Sequence, residues 1–311
     1  MNNLTEKKYY LGIDTSNYRT SVAICDNEGN TVASVRRLLK VAEGERGLRQ
    51  SDALFLHTVA LPEIMREIGS YPISAVGYSA YPRDVEGSYM PCFLAGKAVV
   101  ESISALNGIP VFRFSHQAGH VRAAAYSCGG VKESPDRFIS FHVSGGTTEI
   151  LLYENGSITL LGGSEDLHAG QLIDRVGVAM GMGFPCGEEM EKLSEGVPTV
   201  KGIKICVKGL KCNLSGIENQ ATDRLRKGGS HEEVSAFTLD AVLKTLDKLT
   251  ENVREAYPDL PILYAGGVMS CKRLQKALGK RKKCYFATPE LSGDNAVGTA
   301  LLTMEQATKT E

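Results

Sequence analysis

Residues 138–156 read FISFHVSGGTTEILLYENG, and they decide the fold of this chain. An apolar strand runs into the turn Ser144-Gly145-Gly146-Thr147, and a second β-rich strand leaves that turn and ends at Asn155-Gly156. A tight turn between two strands favours glycine and hydroxyl side chains. We expect such a turn to present backbone N–H groups and hydroxyls to a phosphate or a carboxylate. An ordinary β-hairpin is the alternative interpretation.

A second stretch near the N-terminus has the same plan. Residues 9–24, YYLGIDTSNYRTSVAI, form an apolar strand, a turn that contains Asp14 and Ser16, and a returning strand. Two related hairpins this far apart indicate a duplicated fold, in which each half offers one phosphate-facing turn. Strands that alternate with helices make the chain α/β. The arrangement resembles the actin and sugar-kinase superfamily, whose duplicated, ribonuclease H-like halves form two domains around a nucleotide cleft.

Length and composition fit two such domains. The chain has 311 residues, of which 42% are hydrophobic and 23% are charged, so each half is long enough for its own core. We expect domains at 1–115 and 116–311, with the last helix able to pack back on the first domain. No apolar leader and no run of membrane-spanning length is visible, which predicts a cytoplasmic protein without a membrane partner. The eight cysteines form no CxxC pair.

Positive charge is concentrated in two places although the net charge is only -1. Seven lysines and arginines lie between residues 272 and 283, and a smaller group is formed by Lys201, Lys204, Lys208 and Lys211. A solvated helix face explains either cluster. A surface for RNA phosphates would have the same composition.

His116 and His120 open a predicted helix that continues to Tyr126. Side chains four residues apart lie on the same face of a helix, so both imidazoles could bind one ion. A metal site needs a third donor, such as a carboxylate elsewhere in the chain. Asp294, at another helix start, could supply it or could simply cap its helix. Two histidines with separate hydrogen-bond partners are the alternative.

Two further segments suggest a ligand. Asp174 lies on a mostly apolar helix face, where a carboxylate needs a partner: a ribose diol, Arg175 or a structural hydrogen bond. Gly266-Gly267 follows a buried strand, at the end of a parallel strand where ligands bind. Close approach of an adenosine or close helix–strand packing would explain these glycines. We also expect a long helix from Ser230 to Ala256, a β excursion over Val200–Val207, and Ser164 or Asp166 as a helix cap.

Taken in order, these segments resemble the family of tRNA N6-threonylcarbamoyladenosine transferases, once called O-sialoglycoprotein endopeptidases. The resemblance covers nearly the whole chain, and in that family two histidines and a late aspartate hold iron or zinc. It therefore implies one divalent metal ion, iron or zinc, on His116, His120 and Asp294. It also implies an adenine nucleotide, as threonylcarbamoyl-adenylate, ATP or AMP. The residues implied to bind the nucleotide are His142, Val143, Ser144, Gly145, Gly146, Asp174, Gly187, Gly266, Gly267 and Cys271.

The chemistry implied by this resemblance is acyl transfer. Threonylcarbamoyl-adenylate, made by a separate synthase, would be attacked by N6 of the adenosine beside a tRNA anticodon, and AMP would leave. The implied partners are tRNA and accessory proteins of the threonylcarbamoyl-transfer complex. The protein would mostly position the reactants, exclude water and polarise a carbonyl.

Several positions depart from the pattern of the family. Its Cys-Asp-Glu-Thr is Asn17-Tyr18-Arg19-Thr20 here, the loop histidine is Thr147, the lysine after Ser-Gly-Leu is Glu218, and the asparagine after Gly-Gly-Val is Cys271. A divergent paralogue that binds nucleotide and metal as a scaffold, with altered or lost activity, is the second hypothesis. A metalloprotease is the third, and the lack of a glutamate between His116 and His120 argues against it.

Overall fold

The computed structural model describes residues 7–16, 19–39, 49–129, 136–288, 291 and 296–310. By its internal contacts the chain divides into two compact units. Unit 1 comprises 1–136, 153–158 and 290–311, and unit 2 comprises 137–152 and 159–289. Helix 116–126 and the C-terminal helix thus group with unit 1, while the boundary that we placed at residue 115 stays a prediction.

Unit 1 is built on a five-stranded sheet of order β3-β2-β1-β4-β5. Its strands are β1 (Tyr9–Asp14), β2 (Arg19–Asp26), β3 (Thr31–Leu38), β4 (Ile73–Tyr81) and β5 (Val111–Ser115). Its helices are α1 (Gln50–Ile68), α2 (Phe93–Asn107), α3 (His116–Tyr126) and the C-terminal helix α9 (Val297–Thr310). The pairs β1–β2 and β2–β3 are antiparallel, whereas β1–β4 and β4–β5 are parallel.

Unit 2 contains a seven-stranded sheet of order β12-β11-β6-β7-β8-β10-β9. Its strands are β6 (Arg137–Val143), β7 (Thr148–Glu154), β8 (Ser157–Ser164), β9 (Cys206–Lys208), β10 (Lys211–Asn213), β11 (Ile262–Ala265) and β12 (Cys284–Phe286). Its helices are α4 (Ala169–Ala179), α5 (Gly187–Leu193), α6 (Ser215–Arg226), α7 (His231–Ala256), a 3₁₀ turn (Gly267–Ser270) and α8 (Lys272–Leu278).

The two sheets confirm the predicted duplication. Read from its other edge, the order β8-β7-β6-β11-β12 repeats β3-β2-β1-β4-β5, and β10 and β9 extend it. In each half, the first strand of the opening hairpin is the central one. The parallel strands follow on its other side: β4 and β5 beside β1, and β11 and β12 beside β6. The tight turns after β1 and β6 occupy the same position in the two sheets.

Helix packing explains several sequence signals. In unit 1, α9 lies directly against β1, because a Cβ at Gly12 would be 2.8 Å from the Cα of Ala300. In unit 2, α7 begins with a capping box in which the Ser230 hydroxyl accepts from the Glu233 amide at 3.2 Å. The stripe of α7 that includes Phe237 and Leu246 is buried, as the helical period predicts. No described helix is long and apolar enough to span a bilayer.

Three local expectations differ from the structure. Of Val200–Val207, only the last two residues enter a strand, β9. The sequence also suggested Asp52 as the cap of a helix, but Asp52 lies in the first turn of α1, because that helix begins at Gln50. Helix α4 begins at Ala169 after His168, so neither Ser164 nor Asp166 caps it. Short alternation and a polar residue near a helix start are weak signals that tertiary contacts override.

Candidate functional site

A polar cluster in unit 1 lies where β1 ends and α3 begins. Asp14 is the last residue of β1, and His116 directly follows β5. Strands β1, β4 and β5 are parallel neighbours, and the carboxyl ends of such strands meet at one edge of the sheet. The fold therefore brings Asp14 and His116 together across about 100 residues of sequence.

Asp14 is buried, with only 2% of its surface exposed, and both of its carboxylate oxygens accept hydrogen bonds. Its Oδ2 accepts from His116 Nδ1 at 2.6 Å and from the Ser79 hydroxyl at 2.9 Å, and its Oδ1 accepts from the Ser16 amide at 2.8 Å. Burial raises the pKa of Asp14, but the charge and hydrogen bond of His116 and the hydrogen bond of Ser16 outweigh burial. The pKa of Asp14 therefore lies below its ordinary value.

The carboxylate fixes the orientation of the first histidine. Because Asp14 accepts, His116 Nδ1 must donate, and Nε2 faces away toward the second histidine. The Nε2 atoms of His116 and His120 are 2.8 Å apart, and the two rings meet edge to face. The predicted phosphate-facing role of Asp14 and Ser16 stays a prediction, since what the structure shows for Asp14 is a histidine partner.

This donor set suits a metal ion. Two nitrogens bound to one tetrahedral zinc at about 2.0–2.1 Å each lie roughly 3.3 Å apart, about 0.5 Å more than the 2.8 Å that separates the two Nε2 atoms here. A carboxylate behind Nδ1 is the usual support of a metal-ligating imidazole. Asp294, the third predicted ligand, lies outside the described residues, and within the described ranges no group of three His, Cys, Asp or Glu forms a metal cluster. The metal site on His116, His120 and Asp294 therefore stays a prediction, and the positions of His116 and His120 agree with it.

Unit 2 contains a cavity of about 550 Å³. Five residues that the sequence implicated in nucleotide binding line it, although they come from distant segments: Gly145, Asp174, Gly187, Gly267 and Cys271. The cavity is also lined by Gly170, Ile173, Pro185, Glu188, Glu191, Leu239, Val268 and Ser270. No lysine or arginine occurs in this described lining, so the cavity suits a nucleoside better than a phosphate chain.

The remaining predicted nucleotide-binding residues border this region without lining the cavity. His142 and Val143 end β6, Ser144 and Gly146 belong to the turn that follows, and Gly266 precedes the 3₁₀ turn. The turn is closed on itself, because the Ser144 hydroxyl accepts from the amides of Gly146 and Thr147 at 3.2 Å each. We expected these two amides to bind an anion, but both of them donate to the Ser144 hydroxyl within the turn.

The two glycines after β11 have different roles. A Cβ at Gly266 would collide with the backbone of Val143, and its φ of +98° is one that L side chains rarely adopt. Packing thus requires glycine at 266. A Cβ at Gly267 would meet nothing within 4 Å, and the same holds for Gly145 and Gly187. The fold does not require glycine at these three positions, so the space in front of them is available to a ligand.

The walls of the cavity are fixed by polar contacts. Asp174 Oδ1 accepts from the Cys186 amide at 2.9 Å, which is the structural hydrogen bond considered above, while Arg175 instead pairs with Glu218 at 3.3 Å. The start of α4 presses on the turn after β6, because a Cβ at Gly170 would be 2.6 Å from the Gly145 nitrogen.

Asp166 ties the loop before α4 to the start of α6. Its carboxylate accepts from the amides of Leu167 and Leu214 at 2.5 and 2.8 Å, and from the Ser215 hydroxyl at 2.6 Å. Burial raises the pKa of Asp166, yet these hydrogen bonds, led by that of Ser215, bring it below the ordinary range. Asp166 therefore fixes the loop that precedes α4, the helix that contributes Gly170, Ile173 and Asp174 to the cavity lining.

Sequence reasoning missed the histidine-supporting role of Asp14 and the carboxylates Glu188 and Glu191 in the cavity. The signal for Asp14 was present, since it ends a buried strand that runs parallel to the strand leading into His116. No comparable signal marked Glu188 and Glu191. Their placement depends on how α5 packs in unit 2.

A family model described as tRNA N6-adenosine threonylcarbamoyltransferase matches residues 58–301. A relative of that name from Methanopyrus kandleri is 25% identical over 296 residues, covering 92% of this chain and 84% of its own length. One from Streptococcus sanguinis is 27% identical over 309 residues, covering 93% and 89%. The probable bifunctional tRNA threonylcarbamoyladenosine biosynthesis protein of Thermoplasma acidophilum is 26% identical over 298 residues and 92% of this chain, but the match spans only 54% of that protein.

Solved structures share the fold at lower identity. Full-length HypF in a phosphate- and nucleotide-bound form aligns with a TM-score of 0.65 at 12% identity, over 98% of this chain and 56% of that one. The activator of 2-hydroxyisocaproyl-CoA dehydratase from Clostridium difficile aligns with a TM-score of 0.53 at 14% identity, over 97% and 96%. The predicted fold class, a duplicated actin-like α/β fold, is confirmed.

Proposed function

The chain belongs to the tRNA N6-adenosine threonylcarbamoyltransferase family, and from that premise we propose that it transfers a threonylcarbamoyl group to tRNA. The donor is threonylcarbamoyl-adenylate, and the acceptor is N6 of the adenosine adjacent to the anticodon. The observation that carries this proposal is the cavity of unit 2, where Gly145, Gly187 and Gly267 leave open space that packing does not explain. An adenylate placed there contacts backbone that no Cβ shields.

The residues of the cavity define how the adenylate is held. Asp174 is anchored by the Cys186 amide, which orients the carboxylate to accept from a ribose hydroxyl. Glu188 and Glu191 add negative charge and so favour the neutral nucleoside part of the donor over its phosphate. The apolar side chains Ile173, Leu239 and Val268 exclude water from the bound group.

In unit 1, the imidazoles of His116 and His120, with Asp294, would hold the divalent metal. When bound, iron or zinc supplies a Lewis acid for a carbonyl oxygen. Asp14 keeps the proton of His116 on Nδ1, so that Nε2 carries the lone pair that would ligate the ion. Ser79 and the Ser16 amide keep the carboxylate of Asp14 in that position. Accessory proteins and a separate synthase for the adenylate belong to this proposal.

The test is a reconstituted reaction. The purified chain, a threonylcarbamoyl-adenylate synthase, threonine, bicarbonate, ATP and an unmodified tRNA transcript are incubated, and the modified nucleoside is measured by mass spectrometry. We expect product with the wild-type chain, and a large loss with Asp174→Asn but not with Asp223→Asn, which changes an exposed carboxylate of α6. Nucleotide and metal binding without any product would contradict the transferase and favour the scaffold.

A further inference from the structure

The basic segment between residues 272 and 283 separates into two kinds of residue once the chain is folded. Arg273 pairs with the buried Asp240 at 2.7 Å, Arg281 pairs with Asp247 at 2.6 Å, and Lys283 lies 3.9 Å from Asp259. Arg273 and Arg281 thus tie this segment to α7, whereas the exposed pair of Lys283 contributes little stability. The other four are exposed, and among the described residues no carboxylate lies within 4 Å of their ammonium groups: Lys272, Lys276, Lys280 and Lys282. We call these four the α8 lysine patch.

The patch begins at the rim of the cavity. Ser270 and Cys271 line the cavity, and Lys272 is the next residue, with its amide donating to the carboxylate of Glu191 at 2.6 Å. Lys276 lies one helical turn beyond Lys272 on α8, so both side chains lie on the same face. The patch therefore leads away from the place where the adenylate binds in the proposed function.

The exposed aromatic side chain that follows the patch in sequence does not belong to this surface. Tyr285 is 48% exposed on the edge strand β12, but its neighbour Phe286 is the residue that faces the end of α8, since a Cβ at Gly279 would be 3.5 Å from the Phe286 ring. Successive side chains of a strand point to opposite faces of a sheet, so Tyr285 points away from α8. The patch therefore offers positive charge without an aromatic ring, which suits the phosphates of a nucleic-acid backbone rather than its bases.

We propose that the α8 lysine patch is the surface along which the RNA backbone lies beside the cavity that holds the donor adenylate. This inference rests on the proposed function and adds to it the face that binds the macromolecular substrate. The charges support this division of roles: Asp174, Glu188 and Glu191 line the cavity and repel phosphates, whereas the lysines outside it attract them. The RNA backbone therefore stays on the patch, outside the cavity that holds the donor adenylate.

The test compares two charge-reversed variants of the full chain. Lys272→Glu, Lys276→Glu and Lys280→Glu are combined in one variant. The matched control reverses Lys201, Lys204 and Lys208, which are equally exposed and do not border the cavity. The affinity for an unmodified tRNA transcript is measured between 50 and 200 mM salt, and binding of AMP is measured by calorimetry.

We expect the patch variant to bind tRNA on the order of tenfold or more weakly. Its log–log salt slope should fall by about two to three, since each lost phosphate contact contributes roughly 0.7 to 0.9. AMP binding and the melting temperature should not change. Equal losses in the control variant, or an unchanged slope in the patch variant, would overturn the proposal.

Two further readouts separate this surface from the reaction and from another partner. Suppose that the wild-type chain forms no product, and that tRNA binding is weakened in the patch variant but not in the control variant. The proposal of an RNA-binding surface would then hold, and the proposed transferase activity would be wrong. If product forms and the patch variant keeps a wild-type KM for tRNA, the surface fails and the transferase stands. If polyglutamate displaces tRNA from the wild-type chain at equal charge concentration, the patch binds acidic protein and the RNA assignment is wrong.

Discussion

The histidine cluster of unit 1 and the cavity of unit 2 are built in opposite ways. In the cluster, side chains contact one another: Asp14 supports His116, and His116 faces His120. In the cavity, the decisive feature is missing side chains, because Gly145, Gly187 and Gly267 leave space that nothing else fills. A cluster of the first kind is lost when a side chain is removed, and a site of the second kind is lost when one is added.

The largest expected effect follows from removing a side chain of the cluster. His120→Ala and His116→Ala should reduce bound metal from near one equivalent to near zero, because one remaining imidazole cannot hold the ion with a single carboxylate. Asp14→Asn should keep the ligands and weaken metal binding by about 10- to 100-fold, as for loss of a supporting carboxylate. Metal content is measured by elemental analysis, with the exposed His231→Ala as control. Stoichiometric metal in His120→Ala would refute the site.

Alanine substitutions at the adjacent residues Gly266 and Gly267 test the cavity, because each of them adds one methyl group. Gly266→Ala should cost roughly 3 kcal/mol or more of stability, because it combines a strained φ with a collision against Val143. Gly267→Ala should leave the melting temperature unchanged, since its Cβ meets nothing within 4 Å. It should weaken AMP binding by about tenfold, equivalent to about 1.4 kcal/mol. If Gly267→Ala binds AMP like the wild type, the open space is not the adenylate site.

The hydrogen bonds of Asp166 hold the loop before α4, and a change in pH tests how much they stabilise the fold. The pKa of Asp166 is lowered in the folded chain, so its carboxylate stabilises the fold above the unfolded-state pKa of about 4 and loses this effect as the pH falls below it. Asp166→Asn should lower stability at pH 7 by about 1 kcal/mol and flatten the loss of stability between pH 5 and 3. Thermal unfolding measures both effects.

The control for this experiment is the neighbouring Glu165→Gln. Glu165 pairs with Lys211 at 2.7 Å, but both side chains are about half exposed, so this pair contributes little stability. An acid transition in Asp166→Asn that matches the wild type would show that Asp166 does not brace the loop.

The smallest expected effect concerns a departure from the family pattern inside the cavity. Burial raises the pKa of Cys271 to about 11, so its thiol stays protonated near pH 7 and donates only weakly. Iodoacetamide at pH 7.5 should modify the exposed Cys206 and leave Cys271 intact, as peptide mass analysis would show. Cys271→Asn should strengthen AMP binding by a few fold, because an amide adds a donor and an acceptor. Unchanged or weaker binding would argue against contact with the nucleotide.

Much of the fold could be predicted from the sequence, because local and periodic signals agreed with the tertiary structure. The two hairpins predicted the duplication, helix α3 has the predicted bounds His116–Tyr126, and α7 spans His231–Ala256 against the predicted Ser230–Ala256. The short β9 and the start of α4 were predicted less well. Both depend on contacts with distant residues, such as the bond from the Leu214 amide to Asp166.

The sequence by itself determined the order of elements, the two turns, the histidine pair and the glycines near the predicted ligand, since these follow from residue type and spacing. Only the tertiary structure showed that Asp14 supports His116, that Gly266 is required by packing and Gly267 is not, and that four of the seven clustered cations have no carboxylate partner among the described residues. The physical reason is that hydrogen bonds, close packing and ion pairing depend on distances between remote segments. Those distances are fixed when the strands pair and the helices cover them.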